Sequence, residues 1–515
     1  MRTYPKYIPL ILILSLHFLG WIILKPVYPH SDDYCYAAHA HHFLHQHFEL
    51  TFNKFQNRFW VYVPTAIIFY FFGINTYTIS LWTLIASCLT IVVVYLIVNK
   101  IVDKTAATVA SFLIAINSLQ ITYSIALFPD LIVSLYAILA VLILYKGREV
   151  KNNLLYAIAF PIILLIGLFT KETILLLAPF ILLIIVKDLI KKEHVLFWRR
   201  TFPMMFLAMV FFFVFYWIIT GDSFHRIKSM IDFKDNYLMP DDDAAKLRAA
   251  FPTNIFIWLN GELGYIFLLL LSFPAFLFIH KIKDSFCSFI TCYSLILFLE
   301  FIILFHTTKY GAVFLQDRIW MPLIAPLSIV TAITIKEATW RTLWILFTGF
   351  LLYALLNSMM VSMGRELLYL SFPIIIGGII LFKLNRQQVR ASLLLFPLFI
   401  LYLNFIYGNS NYRVARLNSS NIIKEQIDIM EAAGDKNIVL TEGGLTDDIK
   451  IYNGFKEYQN IRFMNLDKVD SVSEFKNVYC MINSEETTIP KFITEHPERW
   501  KCIYDNHHLL LYKRN

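Results

Sequence analysis

Charge is what this chain is short of. Only 16% of its 515 residues are Asp, Glu, Lys or Arg, against 58% hydrophobic, and the mean hydropathy is +0.60. A soluble protein carries about 25% charged residues, so the deficit excludes a soluble globular enzyme and leaves a chain dissolved mostly in lipid. Cysteine is scarce too: six, scattered, with no paired spacing of the zinc or redox kind. Cys88, Cys287 and Cys292 fall in apolar segments and read as packing, while Cys480 and Cys502 could pair if the tail faces an oxidising compartment. No GxGxxG or GxxxxGK[ST] pattern occurs, so Gly443-Gly444 reads as a loop after a strand rather than a nucleotide turn. The first apolar run, Tyr7 to Leu24, lacks a small-residue cleavage site; Trp21, Ile22 and Ile23 stand there instead. With Arg2 and Lys6 before it, the run reads as a retained signal anchor with a cytoplasmic amino terminus. Internal repeats and the inverted symmetry of broken helices typical of transporters are not evident.

Long apolar runs are abundant. After the first, Tyr77–Val98, Thr105–Tyr123, Leu131–Tyr145, Leu154–Phe169, Thr173–Val186, Phe202–Ile219, Leu263–Ile279, Phe286–Phe305, Ile319–Ile335, Leu343–Val361, Leu368–Phe382 and Leu393–Tyr407 are candidate spans. A span needs about 20 mostly apolar residues, and the tally is about 13. Phe59–Gly73 is apolar enough to be another. Lys and Arg collect on the cytoplasmic side of membrane proteins, and only if this segment does not cross do the clusters Lys100/Lys104, Lys146/Arg148/Lys151, Lys187 to Arg200, Lys281/Lys283, Lys336/Arg341 and Lys383 to Arg390 join Arg2 and Lys6. Phe59–Gly73 therefore reads as a short interfacial or re-entrant helix on the outer face, and the carboxyl terminus comes out on that side. The net charge of +8 is explained by these clusters and does not point to nucleic acid.

The same threading sends Asp32, Asp33, Arg58, Asp130, Lys171, Glu172, Lys309 and Arg318 to the outer face. Acids and bases beside a bilayer are costly, which makes the polar stretch Pro29 to Trp60 a functional candidate. His41 and His45 share a helix face at i, i+4, but spacing fixes no third ligand for a metal. The outer loop 221–261 carries Asp241, Asp242 and Asp243 and reads as a cover over the site. From Asn409 the composition becomes that of a soluble domain: Asn437–Thr441, Ile461–Leu466, Asn477–Ile482, Lys501–Tyr504 and Leu509–Tyr512 read as strands, with helical pieces at Asn421–Ala433 and Ile489–His496. The fold expected is a polytopic α-helical membrane protein, with residues 1–408 in the membrane part and a small extracytoplasmic α/β domain over 409–515.

The string Asp32-Asp33-Tyr34-Cys35-Tyr36-Ala37 resembles the Asp-Glu-x-x-Tyr-Ala signature in the first outer loop of the C-type, lipid-phosphate-sugar-dependent glycosyltransferases. These include the protein O-mannosyltransferases and the transferase that puts aminoarabinose on lipid A. The departures are Asp33 where Glu is usual, and Tyr77, Thr78 and Ser80 where several relatives open the second span with Arg. The interfacial helix ending in Phe-Phe-Gly, Asp130, the Lys171-Glu172 pair and Arg318-Ile319-Trp320-Met321-Pro322 are looser likenesses. The resemblance implies a bacterial inner-membrane enzyme that moves a sugar from a polyprenyl-phosphate donor to a lipid, glycan or protein hydroxyl. It implies Asp32 as general base, Asp33 as its neighbour, and Arg58, Lys171, Lys309 and Arg318, with Asp130 and Glu172, around donor phosphate and substrate. No motif demands a cofactor, and a divalent cation is left open. The rivals are a lipid-linked-sugar flippase, disfavoured by spans almost free of charge apart from Glu300, and a non-catalytic subunit.

Overall fold

Lipid offers backbone groups no hydrogen bonds, so apolar runs satisfy their own amides as helices. The structure is a computed structural model and describes residues 7–24, 32–45, 50, 55–236, 272, 285–307, 317–337, 424–432, 437–441, 459–466, 477–483, 489–505 and 509–514. The first helices are α1 (Ile8–Leu24), α2 (Asp32–His45), α3 (Phe59–Phe72), α4 (Thr76–Ile101), α5 (Lys104–Ala115), α6 (Ser118–Ser124), α7 (Pro129–Glu149) and α8 (Leu154–Thr170). A 3-10 turn, Glu172–Leu177, leads into α9 (Ala178–Lys191), followed by α10 (Val195–Thr220) and α11 (His225–Asn236). Beyond these lie α12 (Ser285–Thr307) and a 3-10 turn, Asp317–Leu323, that runs into α13 (Ile324–Glu337). Among the described residues, five helical segments are long and apolar enough to cross a membrane, or up to six if one bent pair counts as a single span. Expected spans at Leu343–Val361, Leu368–Phe382 and Leu393–Tyr407, Leu263–Ile279 apart from Ser272, and Lys309 lie outside the described residues.

At 14 residues, α3 is about 21 Å long, too short for a hydrocarbon core of about 30 Å. Val61, Tyr62, Thr65, Ala66 and Phe69 are buried on one side of it, while Ile67, Tyr70, Phe71 and Phe72 are exposed. That geometry agrees with a short non-crossing helix.

The run expected as one span over Thr105–Tyr123 is broken. It bends by 58° between α5 and α6 because Asn117 caps α6, its side chain accepting from the Gln120 amide at 3.2 Å. Carbonyls freed at the break need buried donors. His17 on α1 approaches Ala115 O with Nδ1 at 2.9 Å. A carbonyl only accepts, so Nδ1 carries the proton, Nε2 accepts from the Ser87 hydroxyl at 2.8 Å, and Ser87 accepts from Gln120 at 2.8 Å. At the other end of α6, Trp21 Nε1 and Thr83 Oγ1 donate to Ser124 O at 3.1 and 3.2 Å.

Toward the carboxyl end, β1 (Asn437–Thr441), β2 (Ile461–Asn465), β3 (Asn477–Asn483), β4 (Trp500–Asp505) and β5 (Leu509–Arg514) form one sheet in the order β2-β1-β3-β5-β4. β1 is parallel to β2 and β3, whereas β5 is antiparallel to β3 and β4. Helices occupy 424–432 and Lys491–Thr494, inside the two stretches expected to be helical. Cys480 and Cys502 form no disulfide with each other: each registers opposite Tyr512, on either side of β5. Two strand spacings separate them by roughly 10 Å, beyond the reach of a disulfide.

Candidate active site

Connectivity gathers the polar residues. α7 begins, α8 ends, α9 is entered, α10 ends and α13 is entered at one end of the bundle. That end therefore carries Asp130, Lys171, Glu172, the α10–α11 turn and Arg318. α2 and α3 bring Asp32, Tyr36 and Arg58 to the same place. Packing of α2 on α3 explains the Tyr-Ala part of the signature: Tyr36 and Ala37 are fully buried, as is Ala40, so the backbones come close.

Ion pairs define the cluster. Arg318 Nη1 lies 2.9 Å from Asp32 Oδ2, and its guanidinium stacks over the Phe128 ring at 5.0 Å. Lys171 Nζ lies 2.5 Å from Asp130 Oδ1, both side chains being buried. Arg58 Nη2 and Arg226 Nη2 approach Glu172 Oε1 and Oε2 at 2.7 and 2.8 Å. Arg58 also donates to the Tyr36 hydroxyl. The groups are one system, since Arg318 is within electrostatic reach of Asp32 and Asp130, and Lys171 within reach of Arg58 and Glu172.

Protonation follows from these contacts. Burial works against the charge of Arg58, but Glu172 and Tyr36 outweigh it and hold the guanidinium protonated. Burial lifts the Tyr36 hydroxyl well above its usual value despite Arg58, so it stays neutral. Burial also pulls the Lys171 ammonium below the ordinary lysine range, against the opposing pull of Asp130. Two guanidinium groups share the Glu172 carboxylate, so that corner keeps an excess of positive charge. Arg58 Nε and Asp130 Oδ2 are buried with no hydrogen-bond partner, an unusual state for groups whose desolvation costs about 1–3 kcal/mol or more.

Of the residues singled out from sequence, Asp32, Arg58, Asp130, Lys171, Glu172 and Arg318 meet here. Lys171 and Glu172, adjacent in sequence, engage different partners. Arg58, 4% exposed, is no interfacial anchor reaching for headgroups. Asp33 is buried and accepts from the Tyr34 amide at 3.1 Å, within the first turn of α2. Arg226 was not legible in the sequence: it sits in a loop of mixed charge, 54 positions from Glu172, with no motif around it. Nor were Asn57 and Tyr216. Asn57 Nδ2 donates to Ser229 Oγ at 3.3 Å and Tyr216 donates to Asn57 O at 3.3 Å, tying α11 to the loop before α3.

Among the described residues, no three metal-type ligands gather at this end. Asp32 already has a guanidinium at 2.9 Å. Among the described residues the one cluster with metal-type ligands close together is Asp188, Glu193 and His194, at the opposite end of the bundle. Its Asp188 carboxylate is engaged there by Arg148 at 2.6 and 2.7 Å and by Trp198 Nε1 at 2.9 Å, and His194 Nδ1 lies 2.7 Å from Arg148 O.

Residues 60–219 match the family described as dolichyl-phosphate-mannose-protein mannosyltransferase. The chain superposes on ArnT from Cupriavidus metallidurans in the apo state with a TM-score of 0.63 at 12% identity, covering 98% of this chain and 97% of that one. The same protein bound to undecaprenyl phosphate gives 0.63 at 11%, with the same coverage. The oligosaccharyltransferase of Archaeoglobus fulgidus gives 0.51 at 13%, covering 94% of this chain and 70% of that one. No curated protein sequence matches the chain. The fold is thus like that of ArnT and of the oligosaccharyltransferase over nearly the whole chain, and residues 60–219 resemble the mannosyltransferase family.

Proposed function

We propose that the protein transfers a glycosyl group from a polyprenyl-phosphate sugar to a hydroxyl acceptor at the outer face of a bacterial inner membrane. The observation that carries this reading is the single cluster in which a half-buried carboxylate, Asp32, stands beside a corner of excess positive charge built from Arg58, Arg226 and Glu172. Undecaprenyl phosphate, the ligand of the superposable ArnT, has the charge this corner suits. In the reaction the acceptor oxygen attacks the anomeric carbon from the face opposite the phosphate, and Asp32 takes the hydroxyl proton. The bond between that carbon and the phosphate oxygen breaks, inverting the centre. The phosphate leaves as an anion already stable at neutral pH, so no acid is required to protonate it, unlike glycoside cleavage with its paired carboxylates. Arg58 and Arg226 stabilise the charge gathering on the phosphate. Arg318 orients Asp32, Asp33 holds the first turn of α2, and Lys171 with Asp130 contacts the sugar. We assign residues 409–515 to the extracytoplasmic domain; of the cover expected over 221–261, residues 237–261 lie outside the described residues.

The test is reconstitution of the full chain in proteoliposomes with a radiolabelled undecaprenyl-phosphate sugar and envelope lipid or glycan acceptors. Covalent product without movement of donor across the bilayer supports transfer. Movement without product makes the protein a flippase and overturns it. Mass spectrometry of envelope lipids with and without the gene then names sugar and acceptor.

A further inference from the structure

Helix α11 is amphipathic the wrong way round. His225, Arg226 and Ser229 face the protein at 4%, 2% and 0% exposure, while Ile227 and Ile231, with Phe224 just before the helix, are 42%, 53% and 54% exposed, and Lys228 at the edge of that face turns its ammonium back to Asp222 at 2.7 Å, toward the site end and away from hydrocarbon. A helix on a soluble surface buries its apolar stripe and wets the other. Here the polar side is built into the site: Arg226 on Glu172, Ser229 accepting from Asn57, and His225 stacked on Tyr216 with ring centroids 6.2 Å apart. The apolar side continues the lipid-facing surface of α10, since Phe224 packs on Phe213 at 5.3 Å and Trp217 and Ile218 nearby are 59% and 70% exposed. Gly221, with φ +74° and open space within 4 Å of where a Cβ would stand, makes the turn from α10 into α11, and Asp222 caps it by accepting from the Phe224 amide at 3.0 Å.

One helix therefore divides hydrocarbon from a cation cluster, the two environments that an amphiphilic anion needs side by side. The buried Arg58 Nε without a hydrogen-bond partner lies in that same cluster. We propose that α11 is the lateral portal for the donor, with the first isoprenoid units running across Phe224, Ile227 and Ile231 while the phosphate meets Arg226 from inside. This rests on the lipid-phosphate donor proposed above and adds where the lipid enters and which residues read its chain.

The full-length protein in phosphatidylglycerol-containing nanodiscs is irradiated with a polyprenyl phosphate carrying a diazirine in its second isoprene unit, and labelled peptides are mapped. The expected result is labelling within 221–236 that excess undecaprenyl phosphate removes and excess phosphatidylglycerol does not. Ile227→Ser combined with Ile231→Ser, on an exposed face that cannot compromise the core, should weaken competition by undecaprenyl phosphate about ten-fold. Dimethylallyl phosphate, too short to cross the helix, should compete for the site equally in both proteins. Labelling that is absent, or that any phospholipid removes equally, means α11 only anchors in bulk lipid and overturns the portal. Competed labelling without sugar transfer keeps the portal and sinks the proposed function; transfer without competed labelling does the reverse.

Discussion

Asp130 and Lys171 form the most buried ion pair of the candidate site, with side chains 2% and 10% exposed. Desolvating both groups is costly, and removing one partner of such a pair typically costs about 3–5 kcal/mol because the other charge is left alone. Asp130→Asn should therefore lower the thermal unfolding midpoint sharply, whereas Asp130→Asn combined with Lys171→Met should recover most of the loss. If the single variant is as stable as the parent, the pair is not buried as described. At Asp32 the argument is catalytic. Its side chain is 23% exposed and held by Arg318, so Asp32→Asn keeps a hydrogen-bonding group of the same shape. Turnover should fall by roughly 100-fold or more, the usual worth of a general base, with the unfolding midpoint little changed. Near-normal transfer would remove the base assignment. Tyr36 shows how far the signature could be read: its position was visible, but its bond to Arg58, 22 residues on, depends on how α2 meets α3.

Elements carry their own constraints. The end of α8 passes so close to the Glu172–Leu177 turn that a Cβ on Gly167 would lie 2.7 Å from Ile174 Cγ1. Ile174 is 3% exposed and cannot swing away, so Gly167→Ala should push the turn that bears Glu172. Overpacking of this kind costs about 1–3 kcal/mol, and a raised donor KM without any change to a charged side chain would be its signature. Parent-like KM and stability would mean that the turn is soft. On α2, burial and then His42 pull the His39 imidazole down to about 4. Unfolded, it takes its proton near pH 6.5, so between about pH 6.5 and 4 the unfolded chain binds more protons. Stability must then fall as pH drops through that window, and His39→Gln should flatten the slope of unfolding midpoint against pH. Hydrophobic periodicity made the long helices and the five strands legible, because burial and segment length fix them locally. It missed the α5–α6 break, where a single Asn117 cap overrides an apolar run and the compensation comes from His17, 98 residues away from its Ala115 partner.

For the whole molecule the two ends of the bundle differ in kind. Lys146, Arg148, Lys151, Lys191, Lys192, Arg199 and Arg200 crowd the end away from the site, with Glu149, Asp188 and Glu193 among them, and Lys336 pairs with Asp103 there at 3.0 Å. At the site end each cation just described has a carboxylate within 2.9 Å. Such asymmetry is what the insertion machinery reads, and the orientation proposed above puts the basic end in the cytoplasm. It is also what the chemistry wants, because a site whose cations are mostly neutralised is not a cytoplasmic retention signal and can sit on the far side. Lys228, 59% exposed in its side chain beside the site, and exposed Lys191 at the other end give the test. In spheroplasts a membrane-impermeant maleimide should modify Lys228→Cys and leave Lys191→Cys untouched until the membrane is opened. Both cysteines reacting from outside would mean that α10, the one helix between them, does not cross the membrane. Protection of Lys228→Cys with reaction of Lys191→Cys would place the acids, the cations and α11 on the cytoplasmic face, where a donor delivered to the outer leaflet cannot reach them.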